Sequence, residues 1–91
     1  MTINHNLITL SSASVTQVGP TPRHRGVDIT LQNTASVGSV FIGNDNVSSS
    51  NYGFRIDPGC GWSVELSIYD TVYATTDITG TKLAVFMLNL E

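Results

Sequence analysis

Two stretches of the chain alternate apolar and polar residues with a period of two. Val27, Ile29 and Leu31 are interleaved with Asp28, Thr30 and Gln32; Trp62, Val64, Leu66 and Ile68 are interleaved with Ser63, Glu65, Ser67 and Tyr69. Successive side chains of a strand point to opposite faces, so each run predicts a strand with one buried face. Residues 15–18, 39–43, 52–56 and 71–75 predict shorter strands of the same kind. Ser, Thr, Asn and Gly interrupt every candidate helix. Between the strands, Asp57-Pro58-Gly59-Cys60 has the chemistry of a type II turn. Pro58 presets the first central φ, and Gly59 supplies the positive φ required at the second. Asn44-Asp45-Asn46 and Thr79-Gly80 are further reversals, and Gly19-Pro20-Thr21-Pro22 breaks any strand near the N-terminus. The expected fold is all-β: a small single-domain β-sandwich or jelly-roll-like fold of about seven short strands over residues 26–91, with an extended N-terminal arm over residues 1–25.

The last segment departs from simple alternation. In residues 83–90, one face carries Leu83, Val85 and Met87, and the other carries Ala84, Phe86, Leu88 and Leu90. A strand that is apolar on both sides needs two covers, and no helix is predicted to supply one. The second cover is either the N-terminal arm or another copy of the chain. The copy is favoured, because an exposed row of Phe and Leu is a liability on a monomer. Ala84, Phe86, Leu88 and Leu90 are therefore the candidate oligomer interface.

Composition narrows the function. The chain has 91 residues and a net charge of −3, from four Lys and Arg against seven Asp and Glu. So little positive charge argues against nucleic-acid binding. No apolar run approaches a membrane span, and the N-terminus lacks the pattern of a signal peptide, so synthesis in the cytoplasm without membrane insertion is expected. One cysteine, Cys60, excludes an internal disulfide framework and a cysteine-based zinc cage. His5 and His24 have no ligand at a short spacing, and no Gly-x-Ser-x-Gly elbow accompanies the serines. The carboxylate pairs Asp57 with Glu65 and Asp70 with Asp77 have little room for a cleft between them. Neither an enzyme nor a cofactor is expected. Arg23-His24-Arg25, where the arm meets the body, is the one basic cluster and suits docking onto an acidic neighbour.

A series of motifs runs through about two-thirds of the chain. It comprises Ile29-Thr30-Leu31-Gln32-Asn33-Thr34, Val40-Phe41-Ile42-Gly43, the Val47-Ser48-Ser49-Ser50-Asn51-Tyr52-Gly53 loop, Ile56-Asp57-Pro58-Gly59, Trp62-Ser63-Val64-Glu65-Leu66, Val72-Tyr73-Ala74 and a final apolar strand. This order resembles a small β module of tailed-bacteriophage virion proteins. The resemblance implies a structural virion component without catalytic residues: a capsid decoration, or cement, protein that stabilises the outer surface of the head, often as a trimer. On that reading the partners are the chain itself and the major capsid protein. The shell-binding arm comprises Ile3, Leu7, Ile8, Leu10, Arg23 and Arg25. The alternative is a receptor- or carbohydrate-binding module of a phage tail or head fibre, using the loop 44–51 and Tyr52.

Overall fold

The computed structural model describes residues 2–20, 26–67 and 70–89. Its strands are β1 (Thr2–Thr9), β2 (Thr16–Gln17), β3 (Val27–Asn33), β4 (Val40–Gly43), β5 (Phe54–Ile56), β6 (Gly61–Leu66), β7 (Tyr73–Thr76) and β8 (Lys82–Asn89). They form two four-stranded sheets, ordered β1-β8-β3-β6 and β2-β7-β4-β5. Every pairing is antiparallel. Each pairing in one sheet has a counterpart in the other, because a hairpin-like ribbon crosses from sheet to sheet as it rolls up. That is the strand order of a double-sheet jelly roll. The sequence-predicted arm contributes β1 to one sheet and β2 to the other.

The alternation in β3 sets the core. Val27, Ile29 and Leu31 are fully buried, and β8 adds Leu83 and Val85 on the same inner face. Val40, Ile42, Ile56 and Ala74 close the sandwich from the other sheet, joined by Leu10, Val18, Leu66 and Val72. Trp62, Val64 and Met87 pack against this cluster from partly buried positions.

The loops are held by the turn chemistry that the sequence predicts. Gly59 has φ 78°, and the Cys60 N–H donates to the Asp57 carbonyl at 3.0 Å. Gly80 has φ 99° in the turn closed by Thr81 N–H donating to the Ile78 carbonyl at 3.2 Å. Asn33, fully buried at the end of β3, donates through Nδ2 to the Gly38 carbonyl at 2.9 Å and the Ile56 carbonyl at 3.1 Å, and its Oδ1 accepts from Ala35 N–H at 3.0 Å.

Candidate interaction surface

The two sheets treat their outward faces differently. In the β2-β7-β4-β5 sheet, Phe41 and Thr75 lie opposite each other on the outer face, yet each is only 5% exposed. The chain's own loops cover them. The Tyr52 ring lies over Phe41 at 4.9 Å between centroids, and Thr75 Oγ1 donates to the carbonyls of Ser11 and Ser14 at 3.1 and 3.0 Å.

Among the described residues, nothing covers the outer face of β1 and β8 in the same way. Register places Ile3 opposite Leu88, His5 opposite Phe86 and Leu7 opposite Ala84. Directly opposite residues of an antiparallel pair share a face, so these six side chains form one outward strip. Ile3 is 61% exposed, Leu7 55% and Phe86 44%, while Ala84 and Leu88 are half-buried by their neighbours. The other half of the same face is polar. It carries Asp28, Thr30 and Gln32 on β3, and Gly61, Ser63 and Glu65 on β6. The Thr30 and Ser63 hydroxyls are 2.9 Å apart across it.

The strip unites residues that the sequence assigned to two separate roles. Ala84, Phe86 and Leu88 from the expected oligomer interface stand beside Ile3 and Leu7 from the expected arm. Ile8 and Leu10 turn inward instead: Ile8 packs against the core cluster, and Leu10 belongs to it at 1% exposure. Arg23, Arg25, His24, Tyr69 and Leu90 lie outside the described residues. The alternation of β1 is faint because Asn4 and Asn6 occupy its inner side, and His5 interrupts its outer one.

The remaining polar groups serve the loops. Asp57 Oδ1 lies 3.0 Å from Arg55 Nε and accepts from Ser39 Oγ at 3.5 Å. Asp77 Oδ1 accepts from Ser39 N–H at 2.8 Å, and Asp70 Oδ2 from Ser67 Oγ at 2.7 Å. Asn44 Oδ1 accepts from Asn46 N–H at 2.9 Å, a side-chain turn that shapes the 44–51 loop. Phe54 stacks on Trp62 at 5.3 Å beside an open groove of about 400 Å³ that also touches Ile42 and Val72. Among the described residues, no three His, Cys, Asp or Glu side chains converge as metal ligands.

No family model and no curated protein matches the chain. Among solved structures it is similar to one described as Bacillus endospore appendages that form a novel family of disulfide-linked pili. That likeness has a TM-score of 0.52 at 11% identity, over 99% of this chain and 90% of the other. At that identity the likeness is one of fold. It corrects the kinship expected from the motif order: the likeness found is to a pilus structure and not to a phage virion protein. The decoration role, the fibre-module alternative, the virion location and the capsid partner fall with it. The motifs that carried the phage resemblance have local reasons in this fold: Pro58-Gly59 makes a turn, and Asn33 brackets three backbone segments.

Proposed function

We propose that this chain is a non-catalytic structural subunit that associates with copies of itself to build a surface fibre. The observation that carries this reading is the apolar strip over β1 and β8, a row of Ile3, Leu7, Ala84, Phe86 and Leu88 left open across two paired strands. Isolated exposed apolar residues are ordinary; a contiguous row spanning two strands marks a contact surface. The pilus protein with the same fold supports the reading. With one cysteine per chain, a disulfide here links two copies at most, so continuous growth rests on non-covalent contacts.

Light scattering over a micromolar concentration series, with negative-stain microscopy of the same samples, tests this. A mass above the 9.8 kDa of one chain, rising with concentration, is expected. The threefold particle expected from the sequence would appear as a plateau at three times that mass. A species fixed at 9.8 kDa throughout overturns the reading.

A further inference from the structure

The strip ends at an edge with unusual properties. β1 spans Thr2–Thr9, whereas the other edge strands, β2, β5 and β6, span Thr16–Gln17, Phe54–Ile56 and Gly61–Leu66. Natural sheets blunt their edges with short strands, charges, prolines or bulges. β2 and β5 are short, β5 carries Arg55 and β6 carries Glu65. β1 has no Lys, Arg, Asp, Glu or Pro, and its register with β8 runs unbroken from Thr2↔Asn89 to Thr9↔Lys82.

Hydrogen bonds at the strand ends show which backbone groups face outward. Leu10 N–H donates to the Thr81 carbonyl at 2.8 Å, so the even-numbered residues of β1 turn their backbone toward β8. Thr34 N–H donates to the Lys82 carbonyl at 3.1 Å, which gives the same parity from the other side of β8. The backbone groups of Ile3, His5 and Leu7 therefore point to the open edge. In agreement, Leu7 N–H is taken by the Asn6 side chain at 2.9 Å. The same three residues point their side chains into the apolar strip.

Building on the self-association reading, we propose that this edge pairs with β1 of a second copy, antiparallel about a two-fold axis at His5. The two four-stranded sheets then become one sheet of eight. Opposed residues must share a face, which restricts the axis to a residue position. At His5, Ile3 meets the partner's Leu7 and Leu7 meets the partner's Ile3, each pair exchanging both N–H···O bonds. Asn6 releases the Leu7 amide as the pair forms. Shifting the axis to Asn4 or Asn6 sets Ile3 against histidine or threonine.

Pairing in the sheet plane covers the edge and sets the two strips side by side as one outward row over four strands, and charge does not oppose it. Each copy is negative overall, with Asp28 and Glu65 on the far half of the face. Pairing through β1 sets the two β3 strands five strand spacings apart, about 24 Å. That exceeds the screening length of about 8 Å at physiological salt, so the acids do not oppose association.

His5→Pro removes an outward N–H at the axis and takes no hydrogen bond from β8; Glu65→Pro does the same on the opposite edge, by the parity of β6. Light scattering is run on both variants and on the wild type, with circular dichroism to verify folding. The proposal expects His5→Pro to stay folded at 9.8 kDa at concentrations where the wild type and Glu65→Pro are two-copy particles or multiples of them. Association of His5→Pro equal to wild type overturns the pairing and leaves the self-association reading standing, as does a strictly threefold wild-type particle. A monomeric wild type overturns both. Amide exchange on the wild type gives a reading that does not depend on folding of the variant. The Ile3 and His5 amides should slow at least tenfold between dilute and concentrated protein, while those of Ser63 and Glu65 stay fast. Unchanged exchange at Ile3 and His5 in an associated sample overturns the pairing.

Discussion

Asn33 does more structural work than its neighbours in sequence suggest. Its buried amide joins the end of β3 to the 33–38 loop and to β5, and no apolar side chain of the same size can offer two donors and an acceptor. Asn33→Ala should destabilise the fold by about 2–4 kcal/mol, since buried carbonyl and amide groups lose their partners; urea denaturation measures this. In the sequence, Asn33 reads only as turn chemistry, because its partners at Gly38 and Ile56 are set by how the sheets meet. Gly59 and Gly80 were legible because their reason is local.

At the scale of elements, β3 and β6 were readable because each has one wet and one dry face. β8 was readable as a strand apolar on both sides, and the structure divides those sides. Leu83 and Val85 are buried, and Phe86 stands outward. Two substitutions separate them. Leu83→Asp buries an unpaired carboxylate and should cost more than about 4 kcal/mol, enough to unfold a marginal domain. Phe86→Asp should change the stability of the single chain by less than about 1 kcal/mol and remove association through the apolar face; thermal melts paired with light scattering distinguish the two. β1 was the strand that the pattern left within an arm. An edge strand wet on much of both faces has little hydrophobic alternation, and its pairing comes from β8, at the far end of the sequence. The residue that follows it is different in kind: Leu10 is a core residue, and Leu10→Ala should cost about 2–5 kcal/mol by calorimetry.

At the scale of the whole molecule, the sandwich was legible and the order of its strands was not. Alternation reports faces, whereas order depends on pairings between segments such as β1 and β8. The candidate surface was half legible for the same reason. The Phe86 row is written in one strand, but its extension through Ile3 and Leu7 exists only after β1 is laid beside it. The accessible surface, 5182 Å², matches the roughly 5,200 Å² expected of a compact monomer of this mass, so the exposed strip does not come from loose packing. Covalent linkage has a ceiling fixed by composition. Under a thiol oxidant, non-reducing gels should show one-copy and two-copy bands through exposed Cys60, and no ladder; higher bands would require a linkage other than a disulfide. The outer face of the β1-β8-β3-β6 sheet carries its oily rows along one flank and Asp28 and Glu65 along the other, which gives the molecule a built-in sense of up and down. At an air–water boundary it should tilt onto the β1 flank and lift its acidic flank into the liquid, so a film of single copies would expose one uniform, negatively charged side.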